Sequence, residues 1–294
     1  MKTPEEFDEP FDQSSIDQAV EQDKLKSLKQ HRDNIYQLVA WTASDIGQNQ
    51  FLPQCYREAQ SGRLYSFYHA NLQNAPKAIR HALLDGQYDY DIENCHFTLF
   101  SQLAYKYGYK TTAINHYLNN KTKVRGSLAA AIGLADVTPV KESLLAIIYG
   151  ARESSYWKAA IPKYLGQQRA ELFFALPIVK DIFKDVEIGT AIIIENQPVN
   201  QRGNIKNAMN KIIHCSSKPA KIMAHLLQGI EARILQIARR MYASKISLLQ
   251  HDGFTCYEKI DRKALEAAVK KELGYDVKYS ESRLKSPDVF PPEK

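Results

Sequence analysis

The chain reads as an α+β fold, a small antiparallel sheet with helices packed on it. Three observations predict this. The alternating segment Gln87–Ile92 follows Asp85-Gly86, a pair that favours a tight turn. A second strand–turn–strand pattern covers 246–260, with Asp252-Gly253 at its turn. Between them lie long helical stretches, two of which carry proline near their first turn, at Pro139 and Pro219.

Taken in order, residues 1–14 are acidic, carry Pro4 and Pro10, and are expected to form a mobile tail. A helix is expected from Ser15 to about Ile46, capped by Ser14 or Ser15, with Ile35, Leu38, Val39 and Trp41 as its apolar face. Residues 51–80 look irregular, with Pro53, Gly62 and Pro76. Segments 80–84 and 87–92 read as a hairpin around Asp85-Gly86, and 94–118 as helix. Thr138-Pro139 predicts a hydroxyl-capped helix running to Tyr149 and ending at Gly150. Residues 166–185 predict another helix. The run 187–195 fits a strand or a buried helix equally. Ser217 and Pro219 open a long helix reaching about Ser244, and Asp261 caps one that stops near Gly274. A strand over Tyr275–Tyr279 and a tail from Pro287 to Lys294 complete the chain.

The 294 residues suffice for two modest domains, and 44% hydrophobic content suffices for a core. No apolar run approaches the ~18 residues of a membrane span. The polar, acidic N-terminus is unlike a secretory signal. Cys55, Cys95, Cys215 and Cys256 are widely spaced without a CxxC pair, which argues against zinc and disulfides and for a reducing, cytoplasmic setting. A net charge of +6 permits nucleic-acid binding without requiring it.

The chemistry lies in two acidic sites. In a strand, Asp89, Asp91 and Glu93 share one face, and such a row repels itself unless a cation or bases neutralise it. Asp252 sits in the second turn. Transfer of a nucleotidyl group uses two divalent ions about 4 Å apart, and carboxylates are their usual ligands. The helix from 139 carries Lys141, Leu145 and Tyr149 on one stripe, with the lysine in the first turn, where anions are favoured. Residues 202–221 hold Arg202, Lys206, Lys211, Lys218 and Lys221 without one acid, as suits a phosphate backbone. Each feature alone also has a plainer reading: a solvated edge strand, a simple Asp-Gly turn, a solvated lysine, a basic loop.

The order of the pieces resembles family A DNA polymerases. Ser61-Gly62-Arg63-Leu64-Tyr65-Ser66 with Asn71-Leu72-Gln73-Asn74-Ala75-Pro76 is similar to that family's "TGRLSS…PNLQNIP" signature. Asp91 is similar to its first catalytic aspartate, and His96 to Ala104 aligns without gaps to "ELRIMAHLS". Lys141 to Gly150 has the spacing of motif B, Leu227 to Ala232 resembles the "QGTAAD" helix, and His251-Asp252 resembles motif C. The likeness spans roughly 61–260. It implies a polymerase palm with helical fingers, no exonuclease domain and a reduced or absent thumb. The implied divisions are a tail (1–14), an N-terminal helical segment (15–60), a first palm segment (61–118), fingers (119–215), and a second palm segment with the C-terminal helix and tail (216–294).

The resemblance also implies roles. Asp91, Asp252 and the Ile92 carbonyl would hold two Mg2+ ions, with Mn2+ as the alternative. Lys141 would stabilise the triphosphate, while His96, Tyr149 and Gly150 would border the nucleotide. Arg63, Gln73, Asn74, Gln228 and His251 would touch a DNA primer–template, or RNA in its place. The partners are nucleoside triphosphates and nucleic acid, with no membrane and with an accessory protein to supply the thumb or processivity function. Four positions depart from the family pattern. Val137 stands where the family has a triphosphate-binding arginine, so another base, Arg125 or Arg152, has to substitute or affinity falls. Leu145 replaces an aromatic residue. Gly253 follows the motif C aspartate where the family has an acid, which is closer to the "HDSF" of single-subunit RNA polymerases. His96 occupies the sugar-gate position, where a ring either crowds a 2′-hydroxyl or hydrogen-bonds it. A minimal DNA polymerase, an RNA polymerase or primase on the same palm, and an inactive palm that binds nucleic acid or a partner all follow from this pattern.

Overall fold

The computed structural model describes residues 25, 26, 29, 30, 32–34, 36, 37, 40, 54–67 and 71–286. The tail at 1–14, the tail at 287–294, the caps at Ser14 and Ser15 and the apolar face at 35, 38, 39 and 41 lie outside them. The described positions from 25 to 40 are helical, as expected. Two compact units result: Met1–Tyr56, Ser66–Asp85 and Lys285–Lys294 form one, Arg57–Tyr65 and Gly86–Leu284 the other.

In the first unit, helix α1 (Lys77–Leu83) covers the segment expected as a strand. Pro76 supplies its first acceptor, to Arg80 N at 3.0 Å, and Leu84 N closes onto Arg80 O at 3.1 Å. Asp85-Gly86 therefore turns the chain out of a helix rather than joining two strands. The Asn71–Asn74 turn is tied by the Asn71 side chain, which accepts from Asn74 N at 2.8 Å. Gln73 accepts from Ser66 N at 2.9 Å.

The short strands β1 (Tyr56–Glu58) and β2 (Leu64–Ser66) pair with each other. The second unit is built on a four-stranded antiparallel sheet. Its strands are β3 (Tyr88–Ile92), β6 (Ile246–Leu249), β7 (Gly253–Cys256) and β8 (Tyr279–Arg283), in the order β6-β7-β3-β8. β3 finds both partners in the distant C-terminal stretch of the chain. Tyr90 pairs with Phe254 on one side and Glu281 on the other. Strand alternation puts Tyr90 and Ile92 into the core and Asp89 and Asp91 on the opposite face. The Tyr90 and Phe254 rings stack at 5.5 Å, and Tyr279 meets Phe254 edge-on at 5.9 Å. β8 begins at Tyr279, not Tyr275, because Asp276 is held by Gln102: its N–H donates to Gln102 Oε1 at 2.7 Å and its carbonyl accepts from Nε2 at 2.8 Å.

Helix α2 (Cys95–Lys106) is central, burying Leu99, Phe100, Leu103 and Ala104. It stops at Lys106 and, after a turn at Gly108, gives way to α3 (Thr112–Asn119), so the expected single helix over 94–118 is two. Helix α4 (Lys121–Ala131) has no counterpart in the sequence reading. Helix α5 (Thr138–Ile148) starts where expected, but its cap differs. Asp136 Oδ1 accepts from Thr138 N at 2.9 Å and from its hydroxyl at 2.8 Å, so Thr138 is the capped residue and not the cap.

Helices α6 (Ala160–Leu165), α7 (Gln167–Ala175) and α8 (Pro177–Glu195) follow. The expected helix 166–185 breaks at Leu176, held extended before Pro177. The ambiguous run 187–195 is the second half of α8, so it is helix. The α8 carboxylate of Asp185 accepts from Ala113 N and Ile114 N at 2.7 and 3.0 Å, filling the first turn of α3 with negative charge.

A hairpin that the sequence reading lacks, β4 (Ile205–Lys206) and β5 (Ile212–Ile213), turns at Asn210, whose φ is 58°. Helix α9 (Pro219–Tyr242) and helix α10 (Arg262–Leu273) match expectation. Asp261 accepts from Ala264 N at 3.0 Å, and Gly274 ends α10 at φ 77°. No helix among the described residues is long and apolar enough to cross a membrane.

Candidate active site

The two acids singled out in the sequence meet. Asp91 lies directly opposite Gly253 near the end of β3, and Ile92 N donates to Asp252 O at 3.1 Å. Burial, then the charge of nearby Asp252, pushes Asp91 up to about 8, while Lys141 pulls the other way. Two neighbouring carboxyl groups of this kind favour a shared proton or a bound cation. The donor set therefore fits a divalent ion, with hard oxygens, excess negative charge and an open side at Asp91.

The approach of the two strands requires Gly253. A Cβ there would lie 2.3 Å from Tyr90 O and 3.2 Å from Asp91 Cα. Any larger residue following Asp252 would push the β6–β7 turn away from Asp91. Asp89 is quenched differently, accepting from Gln250 Nε2 at 2.7 Å and Thr255 Oγ1 at 2.9 Å. Glu93 leaves the acidic face and pairs with Lys121 at 2.7 Å.

This geometry sets a pH dependence. A folded pKa raised above the free value near 4 means the protonated Asp91 stabilises the fold at acid pH, and that contribution is lost as pH rises through about 8. Cation binding must displace the same proton. Calorimetric titration with Mn2+ should show affinity rising from pH 6 to 8 and levelling above, with proton release only in the lower range. Affinity that does not change with pH would remove this account.

Behind the acids lies a buried polar network. Arg63 donates from Nε to Glu231 Oε1 at 2.6 Å and from Nη2 to Oε2 at 2.5 Å. His96 Nε2 lies 2.9 Å from Glu231 Oε2, and Tyr149 OH lies 2.7 Å from His96 Nδ1. Nε2 donates to the Glu231 carboxylate, and Nδ1 engages the Tyr149 hydroxyl. Burial alone would raise the Glu231 pKa, but the bonds from His96 and Arg63 win and hold it low. Burial likewise opposes the Arg63 charge, and Glu231 more than offsets this. Cys95 lies close by, its thiol pushed up by burial, and the ligand atoms of Cys95, His96 and Glu231 fall within 4.8 Å of one another. Such a trio can ligate a metal, but here the cation neutralising Glu231 is Arg63.

Gly62 and Gly229 let the hairpin 205–213 seat against this network. A Cβ on Gly229 would meet Asn207 at 2.5 Å, and one on Gly62 would meet Met209 at 2.5 Å. Asn207 Nδ2 donates to Ser61 O at 2.8 Å and to His225 O at 3.1 Å.

No family model and no curated protein matches this chain. Among solved structures it is similar to the POL domain of Pol1 from M. smegmatis, solved in complex with DNA primer-template and dNTP. The TM-score is 0.54 and the identity 16%, covering 88% of this chain and 52% of that one. The fold is polymerase-like. This chain spans about half the length of that structure.

Within the polymerase-like fold, Lys141 is exposed one turn into α5, and its charge reaches Asp91. Tyr149 is half-buried at the α5 end, with Gly150 at φ 81° packed on Ala220. Leu145, between them, is also half-buried. His251 meets the Tyr65 ring at a 54° tilt with centroids 4.6 Å apart, and its buried Nδ1 has no partner among the described residues. Burial, then Arg63, lowers the His251 pKa, which keeps the ring neutral near pH 7. Gln228 is half-buried on α9. Gln73 and Asn74 belong to the first unit. In the acid-free stretch, Lys211 is paired with Glu58 at 2.7 Å, while Arg202, Lys206, Lys218 and Lys221 are exposed or half-exposed.

Sequence reasoning missed Glu231. Its signal was present: it is the only acid in α9 and lies between Leu227 and Leu235 on the buried stripe. A lone acid at a core position demands a partner.

Proposed function

We propose that the chain is a template-directed nucleotidyl transferase, most directly a minimal DNA polymerase that extends a 3′-hydroxyl. The observation that carries this reading is the meeting of Asp91 and Asp252, from segments more than 150 residues apart, with neither acid in an ion pair among the described residues. The polymerase-like fold supports it. In this reading 61–118 and 216–294 form the palm and 119–215 the fingers. Asp91, Asp252 and the Ile92 carbonyl hold two Mg2+ ions, or Mn2+. Bound there, the ions supply charge neutralisation at the reacting phosphate and an activated hydroxyl. Lys141 favours phosphate oxygens, and Tyr149 and Gly150 border the nascent pair. Gln228 and His251 would touch primer or template by the resemblance of their motifs, as would Gln73 and Asn74 of the first unit, while Arg63 is turned inward onto Glu231.

The state of His96 bears on substrate choice. Both ring nitrogens are engaged, by Glu231 and by Tyr149. No ring donor or acceptor remains for a 2′-hydroxyl, so the ring acts by bulk, which favours deoxynucleotides. Gly253, the feature closest to RNA polymerases, is accounted for by the contact with Tyr90 O.

The test is extension of a labelled primer–template with magnesium, comparing dNTPs with NTPs beside a primer-free lane. Extension by dNTPs alone is expected. Products only from NTPs, or without primer, would reassign the chain to RNA synthesis or priming. No product under any condition would leave a nucleic-acid-binding module.

A further inference from the structure

Helix α2 starts just after Asp91 and ends roughly 15 Å further along its axis, in the run Tyr105-Lys106-Tyr107-Gly108-Tyr109-Lys110. The turn that closes it is fixed. Tyr109 N donates to Ala104 O and Gly108 N to Tyr105 O, both at 3.0 Å, and Gly108 has φ 84°, the left-handed glycine that ends many helices. Two of the phenols are tied to α8 and the residues after it. Tyr109 OH donates to Asp185 Oδ1 at 2.9 Å, and Tyr107 OH accepts from Gln197 Nε2 at 3.1 Å. The Tyr109 ring also packs where α8 has Gly189, since a Cβ there would lie 3.6 Å from it.

On this framework Tyr105 is 73% exposed, the highest value for a large apolar or aromatic side chain among the described residues. Tyr107 is half-buried, and Lys106 and Lys110 are exposed. Lys106 Nζ lies 5.8 Å from the Tyr107 ring centroid. Neither lysine has an ion pair among the described residues. Asp185 directs its charge into the first turn of α3, and Asp276 pairs with Lys270 and Lys278. Glu195, exposed in the last turn of α8, is unpaired among the described residues, so two free cations face one free acid. A lysine in the last turn of a helix complements the helix dipole, which accounts for Lys106 alone. It does not account for Lys110 or for an exposed aromatic ring between two free cations.

We propose that this end of α2 is an accessory docking site for an unpaired nucleic-acid strand, with bases stacked on Tyr105 and Tyr107 and phosphates on Lys106 and Lys110. Aromatic rings interleaved with cations suit a single strand of any sequence, because every base has a face to stack and every linkage a charge. A duplex offers no free base face, and an acidic polypeptide would engage the lysines alone. The site lies at the opposite end of α2 from Asp91 and Asp252, and it does not require the chain to be a transferase.

The experiment is fluorescence anisotropy of labelled oligo-dT and oligo-rU, each of about 20 nucleotides, and of a duplex of equal length, with the full chain. A saturating unlabelled hairpin primer–template with one unpaired template nucleotide fills the Asp91–Asp252 site. Tyr105→Ala should bind the single strands roughly five- to a hundredfold more weakly. Tyr257→Ala, the same residue type at 53% exposure beside β7, should bind as wild type does. Lys106→Gln with Lys110→Gln should reduce the salt slope by about 1.4, at roughly 0.7 per phosphate contact. Binding of either strand supports the site, and the tighter one names its source as DNA or RNA. Wild-type affinity in a Tyr105→Ala protein that melts normally would overturn the proposal. So would a duplex bound as tightly as the single strand, or displacement of oligo-dT by polyglutamate of equal charge, since both need charge without stacking. Primer extension on the same samples separates this site from the catalytic one. Tyr105→Ala that loses oligo-dT but adds one nucleotide with an unchanged KM for dNTP supports two sites. A matching loss of both would place Tyr105 in the transferase site and remove the accessory one. Tyr105-dependent binding of oligo-dT in a chain that never extends primer keeps the accessory site and removes the transferase.

Discussion

Asp252→Asn is expected to stop primer extension while making the metal-free protein more stable. The shape of the side chain is kept, so the β6–β7 turn still closes through Ile92 N to Asp252 O. What is lost is one of two charges that a pair of ions needs. Metal stabilisation of a transferring phosphoryl group is worth several kcal/mol, so the rate should fall by roughly 10³-fold or more. The stability effect has the opposite sign. Asp91 is held high by burial and by the neighbouring charge. Removing that charge lets Asp91 ionise at lower pH, and the destabilisation above neutrality shrinks. Melting temperature without metal should therefore rise at pH 8, and Mn2+ should no longer raise it. Retained extension would sink the catalytic role. A variant less stable at pH 8 would show that the two acids hold the fold together rather than a cation.

Glu231→Ala should have the largest effect on stability. Glu231 is fully buried, with both oxygens engaged by Arg63 and His96. Truncation strands the Arg63 guanidinium in the core and leaves the His96 Nε2–H without its acceptor. Removing one member of a buried pair costs about 3–5 kcal/mol, a melting shift on the order of 10 °C. Replacing Arg63 and Glu231 together by methionine should recover much of that loss, because no uncompensated charge remains. The pH signature follows from the low folded pKa of Glu231. Its stabilisation is present above the unfolded carboxylate value near 4.3 and is lost as pH falls below it. A single-variant loss below about 1 kcal/mol, in the range of exposed pairs, would mean that the network does not anchor the fold.

The contrast between these residues shows what kind of information a sequence carries. Asp91 and Asp252 were legible because strand alternation and turn chemistry are local, and because their motifs resemble those of a known family. Glu231 was not, because its partner Arg63 lies 168 residues away and its own helix gives only an unexplained acid. The hairpin at Asp85-Gly86 failed for the opposite reason. The turn was real, but Pro76 had already started a helix before it, and β3 had stronger partners elsewhere.

From the chain alone came the helices opened at Pro139 and Pro219, the cap at Asp261, the strand around Tyr90 and both catalytic candidates. Each rests on a preference acting over a few residues. Tertiary structure alone decided which strands pair with β3, that 187–195 is helix, why position 253 is glycine, and which cation balances Glu231. Those depend on contact between segments far apart in sequence, where burial and charge neutralisation outweigh local propensity.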